Sequence, residues 1–146
     1  MIESHRQGSI TEGVVISEFL KRGLTVLVPF GYLQRYDVVV EVCERFYKIQ
    51  CKTGRERNGA VVFNACSSDN VTHKRHDYRG QIDFFAVLEP VSNKVYLVDP
   101  YKVSKNHGYL RTSFKYGTDR ERCNKAEDFL LDAVLKSLGE AVVKEA

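Results

Sequence analysis

An acid, an amide and an amine stand close together in the run from Arg35 to Arg55, RYDVVVEVCERFYKIQCKTGR. Asp37 opens one β-rich stretch, and Gln50 and Lys52 lie on the next; two apart in a strand, they point to the same face. Polar groups flanking Cys51 in a strand with apolar neighbours need polar partners. Together they could meet a polar ligand, counter a negative charge or move a proton. The competing reading is an ion pair of Lys52 with Asp37 or Glu41 across a half-exposed hairpin. Glu12, in Gly8-Ser9-Ile10-Thr11-Glu12, adds a carboxylate about 25 residues before Asp37. Ser9-x-x-Glu12 is also the pattern of a helix capping box.

The elements that must position these groups follow from periodicity. Ser9, Ile10, Val14, Phe19 and Leu20, with Gly23 beyond, predict an amphipathic helix of about four turns. Thr25 to Phe30 predicts a strand that Pro29 confines to an end or an edge. Tyr36 to Val42 and Phe46 to Thr53, separated by Cys43-Glu44-Arg45, predict an antiparallel pair, and Gly54 to Gly59 leads into a further strand over Ala60 to Ala65, extending a meander. Residues 67–81 have no apolar periodicity and predict a long loop, with room for one short helical turn. Asp83 to Leu88 and Val95 to Val98 predict buried strands; the acid Asp83 at strand entry reads either as an ordinary cap of the preceding turn or as a structural support. Tyr101 to Arg122 is basic and aromatic, with Lys102, Lys105, Arg111, Lys115, Arg120 and Arg122 among Tyr101, Tyr109, Phe114 and Tyr116. From about Asn124, apolar residues at helical spacing (Phe129, Leu130, Ala133, Val134, Leu138) predict a closing helix, with Leu131 and Leu135 broadening its apolar face.

The whole is one domain: 146 residues, 43% apolar and 28% charged, suit a single globular α+β unit with its own core. No long apolar run predicts a membrane span. Cys43, Cys51, Cys66 and Cys123 match no zinc spacing, which predicts reduced thiols in a cytoplasmic compartment. The net charge of +3 is unevenly spread, since residues 1–123 carry 19 Lys and Arg against 14 Asp and Glu while the tail is acidic.

Glu12, Asp37 and Gln50-x-Lys52, in the segments GSITE, RYDVVV, IQCKTGR and YRGQIDFFAV, resemble the PD-(D/E)xK nuclease superfamily, most of all its small intron-encoded homing endonucleases. The resemblance runs from Gln7 to about Pro100 and leaves the tail unmatched. It implies a restriction-endonuclease-like core, a central mixed, mostly antiparallel sheet flanked by helices. It also implies a site-specific double-strand DNA endonuclease in which Glu12 and Asp37 are acidic metal ligands, the Cys51 carbonyl a further ligand, and Lys52 the lysine near the attacking water. Gln50 departs from the superfamily acid and Tyr36 from its proline. Oxygen ligation implies Mg²⁺, with Mn²⁺ as a substitute. A charge-rich turn with Arg55 and Arg57, and a loop with His73, Lys74, Arg75, His76, Tyr78 and Arg79, are the candidate DNA contacts. Cutting two strands implies a homodimer or homotetramer. The rival expectations are a Holliday junction resolvase and a non-cleaving DNA-binding protein on the same fold.

Overall fold

The computed structural model describes residues 2–31, 33–69, 71–114 and 123–145. Helix α1 (Ile2–Lys21) buries Thr11, Val15 and Phe19 along one stripe at four-residue spacing. It starts a full seven residues before Ser9, so Ser9 is an exposed mid-helix residue and the capping-box reading of Glu12 fails. The helix stops where expected: Gly23 takes φ 74°, with Gly23 N–H donating to Leu20 O (3.0 Å) and Leu24 N–H to Phe19 O (3.2 Å). This is a Schellman cap.

Strands β1 (Thr25–Leu27), β2 (Val38–Val42) and β3 (Arg45–Thr53) pair antiparallel in chain order. The β2–β3 turn is tight, with Cys43 at φ 52° and Glu44 at φ 65°, both left-handed as a type I′ turn requires. The meander ends there. β4 (Arg55–Arg57) and β5 (Ala60–Asn64) leave the central sheet and pair with the later β10 (His107–Arg111) in a separate sheet ordered β10-β5-β4. The central sheet instead continues from β3 to a parallel neighbour, β8 (Phe84–Glu89), and then to antiparallel β9 (Lys94–Val98). Residues 67–81, expected as a loop, supply most of a two-stranded hairpin of β6 (Cys66–Ser68) and β7 (Arg75–Asp77). Asp69 closes its turn by accepting from Val71 N–H and Thr72 N–H.

Two cores lie on opposite faces of the central sheet. Val15 and Phe19 of α1 meet Val38, Val40, Ile49, Ala86 and Leu88 on one face, joined there by Leu131 of α2 (Leu131–Glu145). The other face packs Phe85, Val87, Tyr96 and Val98 against Val61, Phe63 and Leu110 of the small sheet. Both helices therefore cover one face and the small sheet the other. Gly54 makes the crossing possible, because a Cβ there would sit 2.8 Å from Val61 and 2.9 Å from Val87. The closing helix begins at Leu131, after a 3-10 turn at Ala126–Phe129, and not at Asn124. Residues 115–122 of the basic aromatic segment, with Lys115, Tyr116, Arg120 and Arg122, lie outside the described residues.

Candidate active site

The β2–β3 pairing runs out at Val38 and Ile49, where Asp37 N–H donates to Ile49 O (2.8 Å). Cys51 follows two residues on, and the N–H and C=O of one strand residue point to one side. Past the last β2 pair, the Cys51 N–H is taken by Asp37 Oδ2 (2.8 Å), which leaves the Cys51 carbonyl facing the same gap. The end of β2 thus sets a carboxylate and a carbonyl oxygen side by side. The Gln50 amide completes the corner; assigned in the orientation that satisfies both neighbours, its nitrogen donates to Arg35 O (2.8 Å) and Asp37 Oδ2 (3.3 Å).

Glu12 reaches this corner from α1. One residue earlier, buried Thr11 shares a 2.6 Å hydroxyl contact with Thr53 of β3, which fixes the rotation of the helix over the strand. Burial raises the pKa of the Glu12 carboxyl, and the charge of Asp37 raises it further. Burial also raises Asp37, against the Cys51 N–H and Lys52, which both favour its ionised form. Two partly desolvated carboxylates that repel each other, beside a carbonyl and an amide, form an all-oxygen donor set suited to a hard divalent cation. Among the described residues no three His, Cys, Asp or Glu side chains gather into a metal site. Any cation here would draw on the amide and carbonyl oxygens as well, and a zinc site built on Cys66, His73 and His76 is not formed.

Lys52 shares the Gln50 face of β3, the one turned away from α1. Its Nζ donates to Cys66 O (3.3 Å) and lies 4.9 Å from the centroid of the Tyr78 ring. Burial lowers its pKa and Arg35 pushes the same way, while Asp37 opposes them. The result is an amine poised to give up its proton more readily than an exposed lysine.

Arg35, two residues before the acid in Arg-Tyr-Asp, ties the corner together. Its guanidinium lies 3.9 Å from the Tyr78 ring centroid and donates to Gln81 Oε1 (2.6 Å), Ser67 Oγ (2.7 Å) and Asp77 O (3.0 Å). It so clamps the β6–β7 hairpin to the strand that carries Asp37. Sequence reasoning missed Arg35, Thr11 and Thr53. A basic residue two positions before the acid was the available signal for Arg35, while the threonine pair had none.

The candidate DNA contacts divide. Arg55 and Arg57 are exposed on β4, and His73, Lys74, Arg75 and His76 are exposed on the hairpin. Tyr78 is instead a core residue, 5% exposed, because its ring is the platform under Arg35 and Lys52. Arg79 is turned inward, donating to Val103 O (2.7 Å) and Pro100 O (3.4 Å). Asp83 does not cap the preceding turn: its carboxylate accepts from Lys48 N–H (2.7 Å) and its own N–H donates to Lys48 O (2.9 Å), pinning β8 to β3.

Residues 2–132 match the model of the PD-(D/E)XK endonucleases. The chain belongs to the PD-(D/E)XK endonuclease family. The match extends past Pro100 as far as the first two residues of α2, so it takes in β10 and the 3-10 turn ahead of that helix. Among solved structures, the bacterial homing endonuclease I-Ssp6803I has the same fold, with a TM-score of 0.70 and 22% identity over 95% of each chain. No curated protein matches the chain. Within this PD-(D/E)XK nuclease, Asp37 lies just before β2, and Gln50 and Lys52 lie two apart on β3.

Proposed function

We propose that this PD-(D/E)XK nuclease is a site-specific endonuclease of the homing type, hydrolysing phosphodiesters in both strands of duplex DNA with Mg²⁺, for which Mn²⁺ can substitute. The observation that carries the proposal is the convergence of Asp37, Gln50 and the Cys51 carbonyl at the end of β2, with Glu12 brought over them by α1 and Lys52 on the adjoining face. Glu12 and Asp37 would hold the cation, with the Cys51 carbonyl and the Gln50 oxygen as neutral ligands. When bound, the cation supplies charge relief to the phosphate and to the departing oxygen.

The protein's own groups account for the rest. Gln50 suits both states of the site: without a cation its amide nitrogen donates to Asp37 Oδ2, and a turn of the amide presents its oxygen. An acid there would add a third negative charge next to Glu12 and Asp37. Lys52, with its lowered pKa, orients the attacking water and can accept a proton from it. Tyr78 under Lys52 excludes solvent from one side of the amine. The exposed basic side chains of the hairpin and of β4 would meet phosphates on either side of the cut.

Supercoiled plasmid and linear genomic duplex, incubated with Mg²⁺, Mn²⁺ or EDTA, test the proposal. Discrete fragments are expected with either metal, none with EDTA, and none from Asp37→Ala or Lys52→Ala. A parent protein inert toward every duplex would overturn it, and cutting confined to four-way junctions would replace homing with junction resolution. One active site per chain and two strands to cut require a homodimer or homotetramer, which sedimentation of the protein on its DNA would detect.

A further inference from the structure

The small sheet has an outer face that the candidate active site does not use. Strand register sets Arg55 beside Val62 and Val62 beside Tyr109, then Arg57 beside Ala60 and Ala60 beside Arg111, and Asn64 beside His107. Alternate residues share a face, so these side chains form three successive rows on one side of the sheet. Val61, Phe63 and Leu110 lie on the other side, buried against the central sheet. The acid of β4, Glu56, also falls on that other parity, where it accepts from Thr112 Oγ1 (2.9 Å). The outer rows therefore present three guanidinium groups, an imidazole and a phenol with no carboxylate among them. Tyr109 is 56% exposed. A shallow depression of about 350 Å³, floored by Ala60 and Val62, is rimmed by Arg57, Tyr109 and Arg111.

The face joins the site at two points. Arg55 follows Lys52 by three residues, which limits their separation to roughly 10 Å along the chain. At the far end of β5, Asn64 leads two residues on to Cys66, whose carbonyl receives Lys52 Nζ. The rows therefore begin within a few residues of the site. A second copy of the chain is the poorer occupant, because a two-fold contact would set the same three guanidinium groups against one another.

We propose that the outer face of the β4–β5–β10 sheet is a second DNA-contact surface, holding the phosphate backbone of the duplex flanking the cut through Arg55, Arg57 and Arg111, with Tyr109 packed on the sugar–phosphate edge. The assignment rests on the duplex-cleaving function proposed above. It extends the substrate interface from the β4 arginines across the sheet to Tyr109 and Arg111 of β10.

Two measurements test it. In EDTA, the affinity of the full chain for a labelled 30-base-pair duplex is followed against salt concentration for the parent and for Arg57→Gln/Arg111→Gln. Loss of two phosphate contacts should lower the slope of log affinity against log salt by about 2. Separately, a photoreactive p-benzoylphenylalanine replacing Tyr109 should crosslink to the duplex on irradiation. An unchanged slope with a folded variant, or a crosslink that forms to a second protein chain or not at all, overturns the surface while leaving the nuclease proposal intact. A parent that binds no duplex overturns both, so the two failures are told apart.

Discussion

On the α1 side of β3, Ile49 is fully buried against Val15 and Phe19, Cys51 packs beside it, and Thr53 meets Thr11. On the opposite side, Gln50 reaches Asp37 and the Arg35 carbonyl, and Lys52 lies on Tyr78. The same strand, desolvated on both faces, turns that desolvation to different ends. Under α1 the loss of water stabilises the fold through apolar contact. Around Lys52 and Asp37 it works against the charged forms, lowering the pKa of the amine and raising that of the acid. Parity along one strand thus sets the residues packed under α1 against Gln50 and Lys52 on the other side; burial raises the Cys51 thiol on the packing side as well, and the packed residues must offset the cost of the desolvated charges.

The largest effect expected from breaking this division is at Asp37. Asp37→Asn should lower cleavage by about 10³-fold or more, several kcal/mol of transition-state charge stabilisation, while leaving the fold intact. Because the folded-state pKa of Asp37 is raised, its contribution to stability is present at pH below its unfolded value and is lost as pH rises through the raised one. Asparagine stays neutral and keeps an oxygen for the Cys51 N–H. Thermal melts should therefore show the variant at least as stable as the parent at pH 7, with the difference closing in acid. A variant clearly less stable at pH 7 would place Asp37 with the packing residues.

Lys52→Met comes next, with cleavage reduced about 10²–10⁴-fold, the range for a positioned proton-transfer group. The sign at this position runs the other way along the pH axis. A depressed folded-state pKa gives stability that is present above the unfolded value and lost as pH falls through the folded one, so at pH 7, below the unfolded value, holding the amine in this buried place costs stability. The methionine variant should melt higher than the parent at pH 7. Lys52→Arg sharpens the comparison: if it keeps most of the activity, the group acts through its charge and not by accepting a proton, and the rate of the parent should show no limb rising toward alkaline pH.

Much of this was legible beforehand, for physical reasons that differ from one element to the next. β2, β3 and β8 announce themselves as dense β-branched and aromatic runs, and Asp37, Gln50 and Lys52 stand out because polar residues interrupt those runs. The first two turns of α1 carry no apolar stripe, since Glu3 to Ser9 are mostly exposed, so the pattern begins at Ser9 although the helix does not. The split into two sheets was hidden because the partner of β3 is parallel and lies more than 30 residues away, and because Gly54 shows its purpose only against Val61 and Val87. β6 and β7 pair without a buried face apart from Cys66, which leaves no alternation to read. Tyr78 and Arg79 looked like surface because their neighbours are charged, and only tertiary contacts turn them inward.

Arg35 works on the Lys52 side of β3, over the same Tyr78 ring, and Arg35→Ala should lower cleavage by about 10–100-fold, the usual scale for a residue that orients others. The loss should fall on the turnover rate more than on DNA affinity, since the guanidinium is spent on Ser67, Asp77, Gln81 and Tyr78 and not on solvent. Amide hydrogen exchange in residues 66–77 should quicken in the variant, and protection equal to that of the parent would show that the hairpin does not depend on this clamp.

The smallest effect is expected on the packing side, at the hydroxyl pair of Thr11 and Thr53. Thr53→Val removes the shorter contact of the buried Thr11 hydroxyl and leaves it the longer one from Gln7 Nε2 (3.4 Å), costing about 1–2 kcal/mol, a drop in melting temperature of roughly 3–7 °C for a domain of this length. Replacing both with valine removes donor and acceptor together and should restore most of that stability, because two apolar groups of the same shape can fill the space that the paired hydroxyls occupied. Activity should separate from stability in this pair. The double variant still buries its stripe at Val15 and Phe19, so α1 keeps its place, yet it lacks the directional contact that fixes helix rotation one residue before Glu12. A stable double variant with weakened dependence on Mg²⁺ would show that a contact on the packing face aims a group on the chemical one. A double variant with parental activity at every Mg²⁺ concentration would confine the role of the pair to stability and make the separation of the two faces of β3 complete.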